Sequence, residues 1–269
     1  MKKTLLHITL ILIGILTLAP LLWMVSASLM PAGEANTFPP KFIPDNPTLE
    51  HYRTLFTRLN LLRYILNSVV VSVSITLISL LVNSMAGFAF AKFHFPGRDT
   101  LFKTLLSAMI IPAQVTMLPL FLLLKQMGVI NTYIGVIIPG MASIFGIFLI
   151  RQYMLSIPDS LIEAARMDGA SDFRIYWSVI LPLAKPILVT LAIFTFMGAW
   201  NDFLWPLIVL TRDSMYTLPV ALANLMGEHA QDTELMMAGS VLTILPVLIV
   251  FLVLQKYYIR GIMIGSVKG

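Results

Sequence analysis

The feature that most constrains this chain is a series of long apolar runs, most of them long enough to cross a bilayer. They cover approximately residues 5–29, 68–91, 101–124, 133–150, 183–210 and 238–257. A helix of about 20 residues, rising 1.5 Å per residue, matches a hydrocarbon core of about 30 Å. In that solvent a helix pairs its own backbone N–H and C=O groups, which no water can satisfy. Composition agrees. Apolar residues make up 58% and charged residues 12% of the 269, against roughly 45–50% and about 25% in soluble domains. So few charges cannot cover a water-soluble core, and disorder needs the opposite composition. The expected fold is an all-α integral membrane protein with six transmembrane helices. No internal repeat or flexible linker divides residues 1–269, which read as a single domain with a core of about 65–260.

Charge sets the expected orientation. Of the eighteen Lys and Arg residues, twelve flank the runs on the side of the N-terminus, from Lys2 and Lys3 to Arg260 and Lys268. The other six are Lys41, Arg53, Arg58, Arg63, Lys125 and Arg212. An excess of Lys and Arg marks the cytoplasmic side, so both termini are expected inside. The net charge of +5 is then a topology signal and not a nucleic-acid site. The first run exceeds 20 residues, whereas a signal-peptide core has about 7–15, so it reads as an uncleaved span. The chain has no cysteine, which excludes disulfides, thiolate metal sites and cysteine nucleophiles.

The connection between runs four and five, residues 151–182, is far longer than a connector requires. Pro158 and Asp159 open a helix, Gly169 ends it, and Ser171 or Asp172 begins another. Phe173, Tyr176, Trp177 and Ile180 fall at i, i+3, i+4 and i+7, one apolar face, and Pro182 is expected to end it. Two readings fit this helix, glycine turn and helix. One is an interfacial amphipathic pair that anchors the chain; the other is a rigid knob offered to a cytoplasmic partner. Glu163 is expected to be exposed, with an in-helix pair to Arg166 as the plain alternative to a partner contact.

The residues of the knob carry a resemblance. Glu163-Ala164-Ala165-Arg166-Met167-Asp168-Gly169-Ala170, followed eight residues later by Val179-Ile180-Leu181-Pro182, resembles the EAA motif of permease subunits of ABC importers, E-A-A-x-x-D-G-A-x8-I-x-L-P. The one departure, Val179 in place of isoleucine, changes little volume. Residues 89–97, 200–207 and 261–269 also look like parts of the smaller permease of maltose-type, multiple-sugar and glycerol-3-phosphate importers. The resemblance implies an ABC importer type-1 transmembrane domain. In that family the knob is a cytoplasmic coupling helix, which assigns Glu163, Ala164, Ala165, Arg166, Asp168, Gly169 and Ala170 to contact with the ATP-hydrolysing subunit. It further implies a carbohydrate substrate, a second homologous permease, two ATPase subunits that bind the ATP and magnesium, and an extracytoplasmic solute-binding protein. The place implied is a prokaryotic cytoplasmic membrane.

The chain itself has no G-x-x-x-x-G-K-[ST] loop for ATP and no catalytic set, so it is expected to be a non-catalytic subunit without cofactor or metal. His229, Asp232 and Glu234 lie close in sequence but read as a solvated loop. Within the runs, Asp202 is the one carboxylate; it either caps a helix broken at Pro206 or lines the substrate path, and Trp200 and Trp205 beside it read as interfacial aromatics. Asn83, Gln114 and Asn201 are the other candidates for the path. Asn83 also belongs to a ladder, Ser79, Asn83, Gly87 and Ala91, whose i+4 spacing suits helix packing. Pro112, Gln114, Thr116 and Pro119 predict a bend in run three. Residues 48–66 read as an amphipathic helix with Leu49, Tyr52 and Phe56 on one side, and residues 216–234 as containing a short helix from about 217–219. Both loops suit either the membrane surface or the binding protein. The alternative function, a stand-alone secondary carrier or channel, requires charged relay groups in several runs, where only Asp202 is present. A membrane enzyme lacks a catalytic set, and a membrane scaffold leaves the knob unexplained.

Overall fold

The computed structural model describes the backbone of residues 2–228 and 232–266 and the side chains of residues 3–225 and 232–255. The described residues contain helices and no strand. The helices are α1 (Lys2–Ala27), α2 (Glu50–Thr57), α3 (Leu61–Lys92), α4 (Arg98–Ala108), α5 (Ala113–Gln126), α6 (Tyr133–Gly140) and α7 (Ile144–Leu155). They continue with α8 (Asp159–Met167), α9 (Asp172–Ile175), a π turn (Tyr176–Ile180), α10 (Leu181–Leu183), α11 (Lys185–Trp200), α12 (Leu204–Val209), α13 (Leu218–Glu228) and α14 (Thr233–Ser266).

Three stretches, Lys3–Ala27, Leu61–Lys92 and Thr233–Gln255, are long and apolar enough to cross a membrane. Three bent pairs raise the number to six if each is one span: α4 with α5 at 104°, α6 with α7 at 41°, and Asp172–Leu183 with α11 at 80°. The bend of run three falls where the prolines predict it. Pro112 directly precedes α5, and a proline disfavours helical geometry in the residue before it. Elsewhere the prolines act differently from expectation. Pro182 does not end its helix, which runs on to Leu183 and turns at Ala184. The π turn just before it carries an i to i−5 bond from Leu181 N–H to the Tyr176 carbonyl, a widening that makes room for a ring lacking an N–H. Likewise, run five breaks ahead of Pro206, at residues 201–203. Pro206 sits in the first turn of α12, where a missing N–H costs nothing.

The chain divides into two compact units, the described residues of Met1–Ile65 with Thr217–Leu248, and of Leu66–Tyr216 with Ile249–Gly269. In the first, Ala27, Met30 and Ala35 form a small buried cluster with Trp23 and Met237 against it. The loop after α1 is held by polar bonds: Glu234 Oε1 accepts from Ala35 N–H at 2.7 Å, and His51 Nε2 donates to the Met30 carbonyl at 2.9 Å. Glu234 is thus fully buried and not part of a solvated loop, because it serves as an acceptor inside the unit. His229 lies outside the described residues. Among the described residues no three metal-ligating side chains gather. In α2 the buried side is His51 and Leu55, while Leu49 and Phe56 are exposed. The expected amphipathic face is therefore rotated, since His51 is drawn inward by its bond to Met30.

The second unit is built on α3. Its ladder is buried throughout, Ser79, Asn83, Gly87 and Ala91 included. A Cβ on Gly87 would lie 2.6 Å from Ile150 Cγ2 and 3.2 Å from the Arg151 nitrogen, so the glycine is what lets α7 approach. Ser72 and Thr76 bond back to the carbonyls of Ser68 and Ser72 at 2.6 and 2.7 Å, which satisfies hydroxyls that would otherwise be costly to bury.

Candidate functional site

The knob starts at α8. Pro158 stands just before its first residue, Asp159, so the helix opens where these two residues predict. The end of α8 is a Schellman cap: Ala170 N–H donates to the Ala165 carbonyl at 3.0 Å and Gly169 N–H to the Arg166 carbonyl at 2.9 Å, which serves the last carbonyls of the helix. Gly169 has φ +79°, and a Cβ there would meet nothing within 4 Å. Glycine is required by the left-handed backbone and not by crowding. Ser171 then caps α9, its Oγ accepting from Arg174 N–H at 3.3 Å. Arg166 reaches across the turn to Asp172 Oδ1 at 2.9 Å, so the in-helix pair with Glu163 does not form. Glu163 is exposed and makes no hydrogen bond or ion pair with any described residue. Ala164, Arg166 and Asp168 are exposed too, while Ala165 and Ala170 are half-buried.

Below this exposed edge the knob is rooted in protein. Ile162, Ile175, Tyr176 and Ile180 share one buried cluster with Phe88, Ala91, Ile150 and Met154. Tyr176 Oη lies 2.6 Å from Ser84 Oγ on α3. The expected apolar face is therefore split: Tyr176 and Ile180 are buried, whereas Phe173 and Trp177 stay 64% and 48% exposed, edge to face at 6.0 Å. The widened π turn changes the angular step along the helix, which is why a 3.6-residue period misplaces them. Lys92, at the end of α3, adds a polar tie. Its ammonium donates to the Ile157 carbonyl at 2.5 Å and to Asp159 Oδ1 at 2.6 Å. The hydrogen bond from Lys92 holds the Asp159 carboxyl below the usual carboxylate range. Lys92 stands in the 89–97 stretch of the sequence, but its spacing gives no hint of partners 65 and 67 residues away.

A cavity of about 550 Å³ lies in the same unit, walled by α3, α5, α6, α11 and the segment at α12. From α11 it takes Leu191, Phe194, Thr195, Gly198 and Ala199, and from α5 Ala113, Thr116, Met117 and Leu120, each set one helical face. Its polar groups are Ser79, Thr116, Ser143, Thr195 and Asp202. Of the four residues expected on the path, only Asp202 lines it. Asp202 Oδ1 also accepts from Trp205 N–H at 3.3 Å, so it caps α12 as well. Asn83 is wholly buried in the helix interface: its Nδ2 donates to Ser79 Oγ at 2.6 Å and its Oδ1 accepts from Ser143 N–H at 3.0 Å. Both groups are used to hold the break between α6 and α7. Gln114 is exposed on the face of α5 away from the cavity, and Asn201 is exposed with its amide on the Met197 carbonyl at 2.8 Å. Trp200 and Trp205, expected at an interface, are 1% and 6% exposed; Trp205 packs inward and its indole donates to the Gly135 carbonyl at 3.2 Å. Thr195 and Thr116, not among the residues expected on the path, line the cavity from α11 and α5, and no spacing in the sequence sets them apart from the other polar residues of the runs.

Comparison with known proteins then decides the family. The model of the binding-protein-dependent transport system inner membrane component matches residues 83–264. The chain belongs to this family. The permease is 39% identical over 260 residues to the arabinooligosaccharides transport system permease protein AraQ of Halalkalibacterium halodurans, covering 96% of this chain and 93% of that one. It is 32% identical to the diacetylchitobiose uptake system permease protein NgcG of Streptomyces coelicolor, covering 97% and 88%. Among solved structures, a bacterial ABC transporter involved in the import of the acidic polysaccharide alginate contains a chain that superposes with a TM-score of 0.84 at 28% identity, over 96% of both chains. The permease is thus an inner-membrane component of an ABC importer, and its relatives are sugar-transport permeases. Family membership sets aside the stand-alone carrier, the membrane enzyme and the scaffold.

Proposed function

We propose that the permease moves a carbohydrate across the cytoplasmic membrane by alternating access, driven by ATP hydrolysed in partner subunits. In this reading six spans place both termini inside. A second homologous permease completes the path, two ATPase subunits hold ATP and magnesium, and a solute-binding protein delivers the sugar from outside. The observation that carries the coupling role is the knob. Its outer edge, with Glu163, Ala164, Arg166, Asp168 and Gly169, is exposed to a partner. Its inner edge is buried against α3 and α7, so a push on the knob has nowhere to dissipate before it reaches the spans. Glu163, unpaired among the described residues, is a carboxylate suited to a basic group, and the small Ala164 permits close approach. The cavity supports the path. It offers hydroxyls and the Asp202 carboxylate for sugar hydroxyls, with Phe145 and Phe194, at 6.2 Å, for apolar sugar faces.

The test is Gly169→Asp in the assembled transporter. Membrane insertion and association with the second permease are expected to persist while sugar uptake is lost. Uptake at the unmodified rate would remove the knob from the mechanism. Purifying the complex through a C-terminal tag identifies the partners directly, and the expected companions are a P-loop ATPase and a second permease.

A further inference from the structure

Helix α1 runs to Ala27, and its residues from Leu5 to Leu22 are largely exposed, a surface that lipid covers in a membrane span. If Lys3 marks one boundary of the hydrocarbon, a helix rising 1.5 Å per residue reaches the opposite boundary about 30 Å on, at Trp23. The loop that follows folds back to that level. Trp23 Nε1 donates to the Lys41 carbonyl at 3.2 Å, and Ser26 Oγ to the Phe42 carbonyl at 2.5 Å. These bonds fix Phe42 and Ile43 beside the last turns of α1. Both side chains point away from protein, at 72% and 79% exposure.

We propose that the segment around Phe42 and Ile43 is an interfacial anchor lying in the headgroup layer beside α1, at the boundary opposite Lys3. Three properties suit it to that place. The turns of α1 that it is bonded to are themselves apolar and open, with Leu21, Leu22 and Val25 each at least 43% exposed. Its charge is paired within the loop, since Lys41 bonds Glu34 at 3.1 Å and also Asp45. Its backbone carries few free polar groups: residues 39, 40 and 44 are prolines, which lack an N–H donor, and the carbonyl acceptors of Lys41 and Phe42 are already bonded. Trp23 is a residue type that a bilayer boundary selects, and Phe42 and Ile43 add exposed apolar surface beside it. The inference rests on α1 being a span.

The chain has no cysteine, so single spin labels can be placed cleanly. Phe42→Cys and Ile43→Cys are labelled in the full transporter, reconstituted in phosphatidylcholine and phosphatidylglycerol bilayers. Access of oxygen and of a water-soluble nickel chelate is then compared with Leu12→Cys in mid-helix and Arg58→Cys on exposed polar surface. At 42 and 43 the expected result is a loss of nickel access relative to Arg58→Cys with oxygen access kept. Nickel access equal to that at Arg58→Cys would place the segment in water, and loss of access to both would place it against a protein; either overturns the anchor. A Leu12→Cys label that behaves as if in water would overturn it differently, by removing α1 from the bilayer.

Discussion

Gly169 shows how one residue sets the shape of the knob. Its φ of +79° lies where L side chains clash with their own backbone, at a cost of roughly 1–2 kcal/mol. No neighbour lies within 4 Å of a Cβ there, so the cost is purely conformational. Gly169→Ala is expected to destabilise the permease by about 1 kcal/mol, and Gly169→Asn by less, because Asn tolerates this region. Thermal denaturation of the two variants in detergent checks the order. Equal effects would mean that something other than backbone conformation selects glycine. Gly87 and Gly146 are selected differently. A Cβ on Gly146 would lie 2.7 Å from Asn83 Nδ2, so crowding rules there.

At the scale of elements, the knob is held by apolar burial and one polar tie. Ile180 is 0% exposed, and Ile180→Ala is expected to cost about 2–5 kcal/mol, read as a lower melting temperature and faster proteolysis of residues 151–182. The polar tie depends on pH. Asp159 has a carboxyl pKa below 3.8 in the folded protein because Lys92 donates to it. Its contribution is complete above 3.8 and fades as pH falls through the lower folded value. Hydrogen exchange in α8 is therefore expected to rise on acidification below pH 3.8 in the native permease and to change less in Lys92→Met. Equal acid sensitivity in both would show that the tie does not hold the knob. The split of the apolar face belongs to this scale as well. Phe173 and Trp177 have the spacing of a buried stripe, but the π turn ahead of Pro182 advances the helix by a different angle, so that Ile180 is buried with Ile175 and Tyr176 while Phe173 and Trp177 stay outside.

For the whole molecule, the cavity makes a separable prediction. Gly198 lies on the cavity wall of α11, with nothing within 4 Å of a Cβ. Gly198→Leu is expected to leave folding intact, because replacing a helical glycine favours the helix by up to about 1 kcal/mol, while its side chain fills the cavity. Sugar uptake should fall by most of its value with ATPase assembly unchanged. Normal uptake in a stable Gly198→Leu transporter would show that the cavity is not on the path.

The class, the approximate positions of the apolar runs and the knob were legible in the sequence because hydrophobic length, proline, glycine and the EAA spacing act locally along the chain. Local rules also located Gly169, the cap at Ser171 and the bend near Pro112. Tertiary structure alone decided which polar groups face the cavity. Asn83 and Gln114 are both polar residues in apolar runs, yet one is consumed by Ser79 and Ser143 and the other is turned outward, while Thr116 and Thr195 share the wall with Asp202. It also decided that Glu234 is buried, that Lys92 reaches Asp159 and that Arg166 chooses Asp172 over Glu163. Each of these depends on which elements lie side by side, and a side chain's partner in a folded chain is set by that proximity and not by its place in the sequence.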